Sequence, residues 1–228
     1  MKQVYDGKTK TVYALDDGNY LLQFKDDACG EDGVFDPGAN QIGLTIAGKG
    51  KAGLRLSDYF FRKINQAGCP THFISCDVEK AQMTVRPATM FGKGLEVICR
   101  YKAFGSFVRR YGRYVDEGQP LNALVEITLK DDQRGDPLIT RDSLEALNIL
   151  TGVEYDRLVS VVKDIAGLIK SECEKNQLEL VDLKLEFGRD GSGGIMLIDE
   201  VSGDIMRVFD KNGAAVEPIE LTRILTGE

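Results

Sequence analysis

Asp182, Lys184, Glu186, Asp199 and Glu200 fall within LVDLKLEFGRDGSGGIMLIDE, a stretch whose other residues read as a buried β-hairpin. Side chains alternate along a strand, so Asp182, Lys184 and Glu186 share one face while Leu183, Leu185 and Phe187 share the other. A connection centred on Ser192-Gly193 sets Glu186 opposite Asp199, because cross-strand partners lie equally far from the centre. Two carboxylates that close repel each other unless a proton, a cation or a hydrogen-bond network intervenes. Mg²⁺ is a natural occupant: it takes one or two protein carboxylates and fills its other positions with water and phosphate oxygens. The same alternation also describes a solvated hairpin face on which Lys184 bridges the acids, and a register displaced by one residue separates the pair.

Three further constellations concern anions. In YDGKTKTVY, Gly7 permits a tight turn or close approach, and Lys8 and Lys10 point to one side if the segment is extended, an arrangement suited to phosphates or simply to solvent. In EVICRYKAFGSFVRRYG, Arg100 ends a strand and Gly105-Ser106 open a short helix whose free N–H groups favour an anion; Arg109 and Arg110 are expected on a solvated face. SGDIMRVFD adds Asp204 and Arg207, a second arginine for the same anion. The one histidine, His72, has no triad partner or metal ligand nearby in sequence and is expected to be structural.

The elements that must carry these groups read as follows. Val4 to Phe24 alternates around DDGN as antiparallel strands, and DDACGEDGVFDPGANQIG reads as a long loop. Leu54 to Ile64 carries a helical stripe ending at Gly68-Cys69-Pro70. Short strands follow near Thr71–Ser75, Gln82–Arg86, Leu95–Tyr101 and 121–130, and Tyr155 to Lys175 is the clearest helix. This order predicts an α+β fold with a mainly antiparallel sheet in each half: an N-terminal lobe over 1–86, and a C-terminal lobe over 87–228 holding the metal and substrate site. A cleft between the two is a common ligand site.

At 228 residues, with 43% hydrophobic and 29% charged, the chain has enough material for a sizeable core. A net charge of −7 argues against general nucleic-acid binding, and no apolar run reaches a membrane span. The start MKQVYDGKTK lacks the apolar core of a signal peptide, so the cytoplasm is the expected compartment. Five cysteines without a C-x-x-C pair suggest neither a disulfide framework nor zinc.

YDGKTKTVY, VICRYKAFGS, LKDDQRGDPLI, LVDLKLEFG and DEVSGDIMRVFD, in this order, resemble the phosphoribosylaminoimidazole-succinocarboxamide synthase (SAICAR synthetase) family from residue 5 to 210. The resemblance implies a two-lobed fold related to grasp-type ATP enzymes, antiparallel sheets with flanking helices, and a Mg-ATP-dependent ligase of purine biosynthesis. It implies Lys8 and Lys10 near the ATP phosphates, Glu186 and Asp199 serving Mg-ATP, and Arg100, Ser106 and Arg207 on a ribotide phosphate. Lys130, Lys184 and Asp136 would be catalytic, and Asp204 would lie on the substrate side. The implied partners are small molecules (ATP, a phosphorylated ribotide, an amino acid), with a homo-oligomer possible.

Departures from the family pattern are Gly53, Leu54 and Arg55 in place of paired asparagines, Tyr101 after Arg100, Phe104 for a small residue, Gly203 for proline, Met206 for a small polar residue and Phe209 for tryptophan. The family usually continues past Asp210 through a longer basic helical tail. These changes are read as substrate-facing, which leaves open a paralogous ligase with another carboxylate or amine, or a nucleotide-binding protein without catalysis.

Overall fold

The computed structural model describes residues 1–39 and 41–227. The chain opens with three antiparallel strands, β1 (Lys2–Asp6), β2 (Lys10–Ala14) and β3 (Tyr20–Phe24). Gly7 closes the first turn, its N–H donating to the Lys10 carbonyl (2.8 Å). The segment read as a long loop instead holds β4 (Asp27–Glu31), β5 (Val34–Phe35) and β6 (Ile42–Thr45), a small antiparallel sheet. Its glycines mislead because one of them serves pairing: a Cβ on Gly30 would lie 2.1 Å from the Val34 carbonyl oxygen, so the close return of β5 requires its absence.

Helix α1 (Lys49–Gln66) begins earlier than its apolar stripe. Asp26, distant in sequence, accepts from the Gly48 and Gly50 N–H groups (3.0 and 2.9 Å) and satisfies donors that a local cap would otherwise take. The helix ends at Gly68, whose φ of 82° is the left-handed stop expected of glycine. Strands β7 (Phe73–Asp77) and β8 (Gln82–Val85) complete a first sheet of order β1-β2-β3-β8-β7.

Next come β9 (Thr89–Met90), β10 (Leu95–Lys102), the short α2 (Ser106–Tyr111), β11 (Pro120–Leu129) and α3 (Arg141–Ala146). Helix α4 (Gly152–Lys175) starts on a capping box: Thr151 Oγ1 accepts from Glu154 N–H and Glu154 Oε2 from Thr151 N–H. The chain finishes with β12 (Glu179–Arg189), β13 (Ile195–Ile198), β14 (Met206–Phe209) and α5 (Pro218–Thr226). In the second sheet the strands follow the order β11-β10-β12-β13, with β14 and β9 also pairing to β12.

Alternation divides β12 as its sequence requires. Val181, Leu183, Leu185 and Phe187 are buried in the hydrophobic core, which joins α4, α1, α5 and both sheets without a break. The opposite side stacks polar groups across strands: Glu96 opposes Glu186 and Thr128, Ile98 opposes Lys184 and Glu126, and Arg100 opposes Asp182.

The hairpin register differs from expectation by one residue: Glu186 opposes Ile198, not Asp199. The connection contains three residues between Asp190 and Gly194, with Gly193 at φ 86° and the Asp190 carboxylate accepting from Ser192 and Gly194 N–H. That odd loop, a turn closed by a left-handed glycine, centres on Ser192 and shifts every pair. Asp199 is recovered for the same cavity because it lies beyond β13 with φ 65°, a left-handed residue that breaks the strand alternation. No helix among the described residues is long and apolar enough to cross a membrane.

Candidate functional site

The polar face of the second sheet looks into two adjoining cavities, and every residue expected to bind or react lines one or the other. Arg100, Ser106 and Arg207 line the first. Lys8, Lys10, Lys130, Glu186, Asp199 and Asp204 line the second. Asp136 and Lys184 border both, together with Glu96.

In the second cavity Lys10 is brought from β2 onto the start of the segment after β13. Its Nζ lies 3.2 Å from Asp199 Oδ1 and donates to Glu200. Burial alone would lower the Lys10 pKa, but Asp199 and Glu200 outweigh it and raise it, so the ammonium stays charged. Lys130, just past β11, donates to Glu186 Oε1 (2.5 Å) and is raised in the same way against its burial. Lys8 donates to Asp132 Oδ1 (2.8 Å) in the turn after β11.

The paired acids behave as close neighbours. Burial, then the Asp199 charge, push Glu186 up; in Asp199 burial is outweighed by Lys10 and Lys130, which pull it down. His72 is buried behind them. Its Nε2 donates to the Asp199 carbonyl (3.0 Å), and burial lowers its pKa to about 4, so the neutral ring serves as a backbone prop. The segment bearing it is tied to β13 by His72 N–H to the Leu197 carbonyl (2.9 Å) and Leu197 N–H to the Pro70 carbonyl (3.0 Å). This link and the Lys10 contacts with Asp199 and Glu200 both join the first sheet's half of the chain to the end of β13.

The first cavity is built around Arg100, which is 2% exposed. Its Nε donates to Glu126 (2.7 Å), one terminal nitrogen to Asp182 (2.8 Å) and the other to Ser106 Oγ (2.9 Å). Arg110 donates to both Glu126 oxygens (2.8 and 2.7 Å). Arg207 donates to both Asp182 oxygens (3.1 and 2.9 Å) and to Asp36 (2.6 Å). Arg110, Glu126, Arg100, Asp182, Arg207 and Asp36 thus form an alternating chain of charges. A Cβ on Gly38 or Gly105 would lie 2.4 or 2.7 Å from an Arg207 nitrogen, so both glycines let backbone lie flat on that guanidinium. Arg109 and Arg110, expected on a solvated face, are exposed but also line this cavity.

At the junction Lys184 donates to Glu96 Oε1 (2.8 Å), and Thr128 Oγ1 donates to Glu96 Oε2 (3.3 Å). Burial and then the Glu96 charge raise Asp136, whose Oδ1 accepts from Asp131 N–H (2.7 Å). Asp204 pairs with the buried Lys49, and burial, followed by the Glu200 charge, raises its pKa to about 6.

Glu96, Glu126, Lys49 and Asp36 were missed from sequence. The alternation of LEVICR and VEITLK would have placed Glu96 beside Arg100 and Glu126 beside Thr128 and Lys130. Lys49 and Asp36 meet partners 155 and 171 residues away and carry no local signal.

Of the departures from the family pattern, Tyr101, Phe104, Gly203, Met206 and Phe209 line neither cavity, whereas Gly53 lies beside Glu200 of the second. Tyr101 points away from Arg100 and lies beneath Lys170 (5.6 Å to the ring). Phe104 and Phe209 pack edge to face on each other (5.2 Å), so a larger residue at one position meets a smaller ring at the other. Met206 is buried in the core. Gly203 leaves room for α5, since a Cβ there would lie 2.7 Å from Pro218 Cα.

A cavity with paired carboxylates and several lysines suits a polyphosphate with a divalent cation, and the arginine-lined cavity beside it suits a smaller anion. Comparison with known proteins gives the family. The family described as SAICAR synthetase matches residues 3–220. The phosphoribosylaminoimidazole-succinocarboxamide synthase of Clostridium tetani is 55% identical over 99% of each chain, and that of Finegoldia magna 38% identical over 93% of this chain and 87% of its own. Among solved structures, a SAICAR synthetase (Type-2) in complex with ADP superposes with a TM-score of 0.87 at 30% identity, over 99% of this chain and 98% of that one. A SAICAR synthetase from Pyrococcus horikoshii OT3 gives 0.83 at 28% identity, over 96% and 98%.

Proposed function

The chain belongs to the SAICAR synthetase family, and from that premise we propose that the cavity of Lys8, Lys10, Glu186 and Asp199 takes Mg-ATP while Arg100, Ser106 and Arg207 take the ribotide phosphate. The reaction is the ATP-dependent joining of the carboxylate of carboxyaminoimidazole ribotide to the amine of L-aspartate, a step of purine biosynthesis. The observation that supports the assignment of sites is the adjacency of the two cavities at Lys184: a phosphate donor in one and a carboxylate in the other would lie next to each other.

A carboxylate acylates poorly because oxide would have to leave. A carboxylate oxygen attacks the γ-phosphorus, ADP departs with the electron pair of the broken P–O bond, and an acyl phosphate results. The amine nitrogen then bonds to the acyl carbon, the C–O bond to phosphate breaks, and phosphate and a proton are released. Lys10 and Lys130, held charged, stabilise phosphoryl oxygens, and Lys184 faces the carboxylate at the junction. The arginine-lined cavity contributes binding energy remote from the reacting atoms, which fixes orientation.

Glu186 and Asp199 fit Mg²⁺ by their chemistry: they are two converging oxygen donors whose repulsion a dication would relieve. Mg²⁺ would complete its shell there from phosphate and water oxygens. Bound there, Mg²⁺ would neutralise charge on the phosphates. The same reading takes 1–86 and 87–228 as the two lobes, assigns the protein to the cytoplasm as a possible homo-oligomer, and gives it no role with nucleic acid or membranes, consistent with its acidic charge.

The test is ADP formation from ATP, carboxyaminoimidazole ribotide and aspartate by the purified protein and by Glu186→Gln and Asp199→Asn. Each substitution is expected to lower kcat/KM for Mg-ATP by about 100-fold. Unchanged kinetics in both would remove these acids from the ATP site, and no ADP with the wild type would remove the ligase assignment.

A further inference from the structure

Asp204 sits in the short 3₁₀ turn Gly203–Ile205 after the acidic segment. Its backbone N–H is held by Ser202 Oγ (3.1 Å), and its Oδ2 is engaged by Lys49. Lys49 is itself 2% exposed, so the carboxylate is fixed from both ends. Its other oxygen, Oδ1, is the one buried side-chain nitrogen or oxygen without a hydrogen-bond partner among the described residues. A fixed carboxylate oxygen that is buried and unmatched calls for a donor.

The surroundings narrow the donor. Asp204 lines the second cavity, and its neighbour Ile205 borders both, which places Asp204 on the ATP side of the junction. Phosphate and carboxylate groups bring only acceptors and negative charge to such an oxygen. Local charge does not oppose this: Lys10 and Lys130 act on Asp199 and Glu200, while Asp204 has Lys49 as its ion-pair partner on Oδ2 alone. A positively charged group with several N–H donors matches such an oxygen.

We propose that Asp204 Oδ1 receives the ammonium group of the amine substrate and positions its nitrogen toward the junction, an inference that rests on the ligase reading above. Asp204 is then the amine-binding residue, while Arg100 and Arg207 hold the phosphorylated substrate and Lys10 and Lys130 the nucleotide. The acid charge at Asp204 matters for this role, since a neutral amide in its place keeps the shape but loses attraction for an ammonium.

Steady-state kinetics of Asp204→Asn test this, with each substrate varied in turn. The KM for L-aspartate is expected to rise at least tenfold, with the KM values for ATP and the ribotide within twofold of wild type. Should loss of the charge beside Lys49 prevent folding, the double variant Lys49→Gln/Asp204→Asn removes both charges together and is read by the same split. An unmoved aspartate KM, or an equal rise in the ribotide KM, overturns the inference while wild-type turnover leaves the ligase reading standing. Absence of ADP formation by the wild type overturns both.

Discussion

His72 shows how a single side chain can matter to the site without touching a ligand. Buried against Phe61 (5.5 Å between rings), it holds the Asp199 carbonyl and remains neutral, its pKa lowered by burial from 6.5 to about 4. Protonation therefore favours the unfolded chain. The contribution is intact above pH 6.5 and is lost as pH falls through 4, amounting to about 3 kcal/mol. Denaturant unfolding of wild type and His72→Gln between pH 7 and 4 is expected to show the wild type losing that much more stability on acidification. Parallel curves would mean that the ring is not buried neutral. This histidine was legible in sequence as structural, through the want of partners around it; that it props Asp199 was not, because the link runs from the segment before β7 to the end of β13.

Elements set what the residues can reach, and strand alternation was the most readable of them. The polar face of β12 was visible in DLKLEF, but the meeting of Glu186 and Asp199 was argued from the wrong register. The two line one cavity and raise each other's charge cost all the same, with a three-residue connection and a left-handed Asp199 between them and the expected pairing, features of backbone angle that periodicity does not encode. The entrance to α2 is a second such feature. Gly105 has φ 55° and lies against Arg207, so Gly105→Ala is expected to raise the KM for the phosphorylated substrate about tenfold while the protein stays folded, with the KM for ATP unchanged. Equal KM values would separate Arg207 from that substrate. Where Phe104 meets Phe209, the consequence is confined to packing: Phe209→Leu is expected to cost about 1 kcal/mol in denaturant unfolding and to leave all three KM values within twofold. A selective change in one KM would return that pair to the substrate wall.

Across the whole molecule, the α+β class and antiparallel sheets followed from the order of strand and helix patterns, and the family resemblance extended over nearly the full chain. What sequence could not supply was the closure between distant segments: Asp26 capping α1, α5 lying against Gly203, and Asp36 reaching Arg207. The buried core runs from Leu22 and Met83 through α1 to Val97 and Leu183, so the two sheets are expected to unfold together. Coincident far-ultraviolet and near-ultraviolet circular dichroism melts would agree, and separated midpoints would oppose it. The chain of charges around Arg100 has a different long-range consequence. Its three guanidinium groups and three carboxylates alternate within a few ångströms, so their fields cancel beyond a Debye length of about 8 Å at physiological salt. The ladder itself then does not steer an anionic substrate from afar; it selects after collision, by whether the substrate's oxygens can enter it. The double variant Arg110→Gln/Glu126→Gln should change the dissociation rate of that substrate more than its association rate.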